Sequence, residues 1–80
     1  MQIGDYRSEI DDIDAQIVEL LENRADYAVK IAKIKKGHGL PVQDAAREAT
    51  VLDSVTELAN ELRGPLDGES VRNIFRIIKI

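Results

Sequence analysis

From Ile3 the apolar positions run Ile3, Tyr6, Ile10, Ile13, Ile17, Leu20, then Tyr27, Ile31 and Ile34. This alternating three-and-four spacing gathers side chains on one face of an α-helix. No Gly or Pro interrupts the run after Gly4. Lys33, Lys35 and Lys36 crowd its end, where cations suit the helix dipole, before Gly37 and Gly39 stop it. The pattern predicts one helix over about residues 4–36. Gly37 to Gln43, with Pro41 inside it, reads as a loop, and Asp44 as the N-cap of a second helix. That helix carries Ala45, Ala49, Leu52, Val55, Ala59 and Leu62 on one face and ends near Arg63, before Gly64 and Pro65. Breakers from Gly64 to Gly68 precede a third helix, capped by Asp67, with Val71, Ile74, Phe75 and Ile78 at helical spacing. The expected fold class is all-α: one long helix and two shorter ones in a single helical domain over residues 1–80, with no internal repeat.

The lengths add a consequence. About 33 helical residues span about 50 Å, whereas a compact 80-residue monomer has a radius of gyration of only about 12 Å. The second and third helices, at roughly 27 and 18 Å, could cover barely one side of the first. Its unbroken stripe therefore predicts another chain alongside, most simply an interlocked helical homodimer. A coiled-coil hairpin monomer, or a segment of a larger protein, is the plainer alternative.

Composition narrows the chemistry. With no Cys and one His, the chain offers no disulfide, no thiolate nucleophile and no second imidazole for a histidine zinc site, so neither a metalloenzyme nor a thiol enzyme is expected. A net charge of −4 opposes a nucleic-acid or anionic-membrane surface, so any basic groups that matter must be locally gathered. No stretch approaches the roughly 18 apolar residues of a membrane span, and there is no basic segment followed by an apolar run at the N-terminus. A cytoplasmic protein is the expectation.

Charges stand where the stripe calls for apolar residues. Arg24 occupies the seam between Leu20 and Tyr27. Read alone, it is an internal salt bridge or a snorkelled side chain. Lys35 lies eleven residues on, sharing that face about 16 Å along the axis, so the two extended side chains would leave a gap the size of a small dianion. Alone, Lys35 is a solvated lysine at a helix end. Glu48 sits on the second helix's apolar seam between Ala45 and Leu52, and its plain role is to pair with Arg24 or Lys35. Arg47 lies in that helix's first turn, where the dipole disfavours a cation unless an anion is held nearby; more often such an arginine is simply exposed. Asp44 needs no role beyond capping, though the amides of its turn could hold a hydroxyl or carboxylate. Arg7 precedes Arg24 by about 26 Å and about 100° of rotation, so the two cannot hold one small molecule from the same chain. Either a partner subunit supplies Arg7 or it pairs with Asp11 at i+4 on the surface. His38, between two glycines, reads as solvent-exposed, and Tyr6, Tyr27 and Phe75 as core.

Taken in order, Tyr6-Arg7-Ser8-Glu9-Ile10-Asp11-Asp12-Ile13-Asp14, Leu20-Leu21-Glu22-Asn23-Arg24, Ile31-Ala32-Lys33-Ile34-Lys35 and Pro41-Val42-Gln43-Asp44-Ala45-Ala46-Arg47-Glu48 closely resemble the all-helical class of chorismate mutases. The resemblance covers nearly the whole chain. It implies an interlocked three-helix homodimer that converts chorismate to prephenate on the route to phenylalanine and tyrosine. By position, Arg24 would bind one substrate carboxylate and Arg7, from the other subunit, the second. Lys35 would donate to the ether oxygen and a carboxylate, Glu48 with main-chain groups at Asp44 would hold the ring hydroxyl, and Arg47 would support the carboxylate pocket. Ile31 and Val51 are similar to the family's apolar walls. Catalytic roles would thus fall to Lys35, Arg24, Arg7 and Glu48. The substrate contacts would come from the same four together with Asp44 and Arg47.

The chain departs from the family pattern at its end. The family's third helix continues to a Ser and then a Gln or Glu, whereas Ile77-Ile78-Lys79-Ile80 ends apolar and without a C-cap, so the expectation is a chain that continues past Ile80. Two other readings share the ancestry: isochorismate pyruvate lyase, which the Asp44-x-x-Arg47-Glu48 run resembles less, and a non-catalytic dimerisation or regulatory module. A three-helix DNA-binding domain would need a basic recognition helix that the chain lacks.

Overall fold

The computed structural model describes residues 2–78. The chain forms three helices, α1 (Ile3–Gly37), α2 (Ala45–Leu62) and α3 (Gly68–Ile77), with no strand among the described residues. They fall into two compact units, one running through Leu40 and the other beginning at Pro41.

The first unit is α1 and its exit. At its start the Gln2 N–H donates to Asp5 Oδ2 at 3.0 Å, using a first-turn carboxylate to satisfy an orphan donor. Thirty-five residues of unbroken helix follow, about 52 Å long. Gly37 was expected to help stop the helix, but it is helical, and Gly39 makes the turn. At φ +68°, Gly39 lets its own N–H reach the Lys36 carbonyl at 3.2 Å and the Leu40 N–H reach the Lys35 carbonyl at 2.8 Å. This is the paired bonding of a Schellman ending, which a residue without Cβ accommodates best.

No residue of α1 is buried. Tyr6 and Tyr27, expected in the core, are instead 56% and 67% exposed, because a lone helix cannot bury its own apolar face. Ile10, Ile13, Ile17, Leu20, Ile31 and Ile34 share that exposure. Lys30 Nζ stands 5.2 Å from the Tyr27 ring centroid, a cation–π contact on the helix surface.

The second unit is a hairpin of α2 and α3. Asp44 caps α2, accepting from the Arg47 N–H at 3.0 Å, and Asp67 caps α3, accepting from the Ser70 N–H at 2.8 Å. The hydrogen bonds from Ser70 hold the Asp67 carboxyl below its ordinary pKa, since they favour the charged form. Arg63 closes α2 in the left-handed region at φ 53°, turning the chain toward α3. Ala59 and Gly68 are buried, and Leu52, Val55, Val71 and Phe75 are half-buried along the hairpin. A Cβ on Gly68 would stand 2.7 Å from Asn60 Oδ1 and 2.8 Å from Thr56 Cγ2, so only glycine permits this approach. Arg72 Nη1 spans the hairpin to Asp53 Oδ1 at 2.9 Å and Thr56 Oγ1 at 3.3 Å.

α3 closes at Ile77, and the Ile78 N–H donates to the Ile74 carbonyl at 3.3 Å. The expected continuation of the apolar ending falls on Lys79 and Ile80, outside the described residues. No helix among the described residues is long and apolar enough to cross a membrane.

Candidate active site

In the first unit, uninterrupted helical geometry sets the spacing of the candidate cations. Arg24 and Lys35 lie on the same continuous helix, three turns and about 16 Å apart on one face. Both are half-buried, whereas the apolar side chains of their stripe are mostly exposed. Alongside them Ala25, Ala28 and Ala32 are also half-buried, so the stripe's neighbouring flank is built from small side chains.

Arg7 stands apart, exposed near the start of α1. The surface pairing with Asp11 is not made: among the described residues Arg7 has no ion pair. It is seventeen residues from Arg24 on an unbroken helix, so the two guanidinium groups belong to opposite halves of the rod.

In the second unit, the first turn of α2 gathers Asp44, Arg47 and Glu48. The Asp44 carboxylate is engaged by the Arg47 N–H, and the Asp44 carbonyl accepts from the Glu48 N–H at 3.0 Å. The cap therefore fixes the backbone that carries both charged side chains, and all three residues are exposed. Glu48 lies one turn before Leu52, in line with the half-buried face of α2. Val51 is half-buried and Ile31 is exposed. His38 is exposed, and its N–H serves the end of α1 by donating to the Ile34 and Lys35 carbonyls.

Chemically, the first unit offers two half-buried cations on one helix face, groups able to bind carboxylates, and the second offers a carboxylate and ordered helix-turn amides, groups able to bind a hydroxyl. A cation fixed beside an apolar surface acts on a bound anion more strongly than one in water.

Comparisons with known proteins bear on the family of the whole chain. The model of the family described as chorismate mutase type II matches residues 6–79. A chorismate mutase of Methanocaldococcus jannaschii is 33% identical over 60 residues, covering 75% of this chain and 61% of that protein. A bifunctional chorismate mutase/prephenate dehydratase of Neisseria gonorrhoeae is 42% identical over 71 residues, 89% of this chain but 18% of that protein. The chain thus spans less than two thirds of the length of these curated relatives. Among solved structures, chorismate mutase (form I) from Thermus thermophilus superposes with a TM-score of 0.88 at 31% identity, covering 98% of this chain and 94% of that one. With the match running through nearly all of the sequence, the chain belongs to the type II chorismate mutase family.

Proposed function

We propose that this chain is a chorismate mutase, an isomerase that rearranges chorismate to prephenate, acting as a single helical domain over residues 1–80 in a cytoplasmic homodimer. The observation that carries the reading is the pair Arg24 and Lys35, two half-buried cations on the otherwise apolar face of α1, in a chain of this family.

The reaction is a Claisen rearrangement. Within one molecule the ether C–O bond breaks as a C–C bond forms, so nothing is oxidised, added or released. It needs no nucleophile, metal, cofactor or proton transfer. What remains for the protein is to select the compact conformer and to stabilise negative charge building on the ether oxygen as C–O cleavage runs ahead. Arg24 holds one carboxylate, and Arg7 of the second copy holds the other. Lys35 donates to the ether oxygen and a carboxylate. Glu48 and main-chain groups at Asp44 hold the ring hydroxyl, Arg47 supports the carboxylate pocket, and Ile31 and Val51 supply apolar walls. Because the ether oxygen gains charge only on the way to the transition state, the Lys35 contact strengthens there and carries the largest rate effect.

The need for a second copy follows from two supports. The stripe on α1 is exposed along its length, and Arg7 lies too far along the rod to join Arg24 and Lys35 on one small molecule. The test is loss of chorismate absorbance with prephenate identified as product, on this chain and on Lys35→Ala. Turnover that falls about a hundredfold or more in the variant supports the reading, in line with the loss of a donor to a developing oxyanion. A folded chain that forms no prephenate would overturn it and leave a non-catalytic helical module. Pyruvate released from isochorismate instead would make it a lyase.

A further inference from the structure

Gly68 is buried at the start of α3, and it follows an aspartate. Asp67–Gly68 is the chain's one Asp-Gly or Asn-Gly step. Such a step carries chemistry of its own. With no Cβ to shield it, the glycine nitrogen can attack the aspartyl side-chain carbon Cγ and close a five-membered succinimide. An N–Cγ bond forms, the Cγ–OH bond of the neutral carboxyl breaks, and the hydroxyl leaves with the N–H proton as water. Water then adds back at either ring carbonyl. Opening at the main-chain carbonyl leaves isoaspartate, in which the backbone runs through the side-chain methylene. One water leaves and one returns, so nothing is oxidised or reduced.

The fold requires this glycine and also keeps it from reacting. A Cβ at position 68 would lie 2.7 Å from Asn60 Oδ1 and 2.8 Å from Thr56 Cγ2, so the contact of α3 with α2 demands the residue that makes the step reactive. Three features of the turn oppose ring closure. The nucleophile is buried, and its N–H donates to Asn60 Oδ1 at 2.9 Å. The electrophile is held elsewhere: Asp67 Oδ1 accepts from the Ser70 N–H at 2.8 Å, which favours the carboxylate over the more electrophilic neutral acid. The backbone is also turned the wrong way. Asp67 has ψ 171°, whereas closure needs its Cβ and the Gly68 nitrogen nearly eclipsed about the Cα–C bond, a rotation of about 70°. That rotation would carry the Gly68 N–H off Asn60.

We propose that Asp67–Gly68 is a latent isoaspartate site guarded by the Asn60 side chain, so that it isomerises only when the start of α3 opens. The product lengthens the backbone within the capping turn and leaves the free carboxylate on a different carbon, out of register with the Ser70 N–H. A transient opening thereby becomes a permanent loss of the cap.

The test follows isoaspartate in the whole chain during prolonged incubation in mildly acidic buffer. Trypsin cuts after Arg63 and Arg72, releasing residues 64–72 with Asp67 as their only Asp, and the isomer separates chromatographically at unchanged mass. The folded chain should isomerise about tenfold or more slowly than the chain in denaturing guanidinium chloride, because only its open fraction reacts. Asn60→Ala should speed the folded chain about fivefold or more, since losing one buried hydrogen bond raises the open population by at least that factor. Asn60→Asp keeps an acceptor oxygen and should keep the protection. Val55→Ala, which thins the half-buried hairpin packing without touching Asn60, is compared at a denaturant concentration giving an equal fraction folded. Faster isomerisation in Asn60→Ala than in this control supports the guard. Equal rates, or an Asn60→Asp chain as fast as Asn60→Ala, overturn the role of Asn60. A folded chain that isomerises as fast as the denatured one overturns the proposal entirely.

Discussion

The side-chain oxygen of Asn60 accepts the Gly68 N–H at 2.9 Å, and the same amide fills the space into which a Cβ on Gly68 would project. One residue of α2 therefore both satisfies and gauges the start of α3. Gly68→Ala should push Asn60 off its partner, costing about 1–3 kcal/mol for the buried N–H left unsatisfied, against at most about 1 kcal/mol of helix propensity gained. Urea unfolding of Gly68→Ala, Asn60→Ala and the double variant checks this. The two losses should be less than additive, because each removes the same contact.

Arg63 carries a conformational cost that glycine would not. It ends α2 at φ 53°, a region that costs an L-residue about 1–2 kcal/mol, partly offset by the chain entropy that glycine loses on folding. Arg63→Gly should therefore raise the thermal midpoint by a few degrees. An unchanged or lower midpoint would show that the Arg63 side chain contributes more than its backbone strain takes away.

Asp67 makes the α3 cap sensitive to acid. Its native pKa is lowered by the Ser70 hydrogen bonds, so its contribution is fully present above the unfolded-state value of about 3.9 and is lost as pH falls through the lower native value. Asp67→Asn should be less stable than the original at pH 7, with the gap closing toward pH 2. Parallel stability curves across that range would contradict the role of the charged cap.

On the proposed function, Arg24 and Lys35 share a helix face but not a task. Arg24→Lys should weaken binding, raising KM, because an ammonium cannot reproduce a bidentate grip on a carboxylate. Lys35→Ala should chiefly lower kcat, because its contact strengthens in the transition state. Steady-state kinetics on both variants separates the two.

Much of this is legible in the sequence, for local reasons. The three-and-four period of Ile10, Ile13, Ile17 and Leu20 gives α1, and the caps at Asp44 and Asp67 mark where α2 and α3 begin. Arg24, Lys35 and Glu48 announce themselves as charges on apolar faces, a signal that needs only helical geometry. Arg7 carries no such signal, and its place among the site residues rests on the family resemblance. Contacts made across the hairpin are not legible. Asn60 with Gly68, and Arg72 with Asp53, are separated by eight and nineteen residues, and they meet only because Arg63 turns left-handed between the helices. Sequence pattern puts the glycine stop at Gly64, while the backbone adopts its positive φ one residue earlier. Tyr6 and Tyr27 show the converse, since period identifies the apolar face but not what covers it.

The central claim is that two copies build each chorismate site, with Arg7 from one chain and Lys35 from the other. Mixing is the most direct measurement: Arg7→Ala and Lys35→Ala chains, each nearly inactive, are unfolded together in equal amounts, refolded and assayed for prephenate. Half of the dimers then contain both chains, and each of these has one intact site, so the mixture should recover about a quarter of the original turnover. A mixture no more active than its separate components, although heterodimers form, would contradict a site shared between subunits.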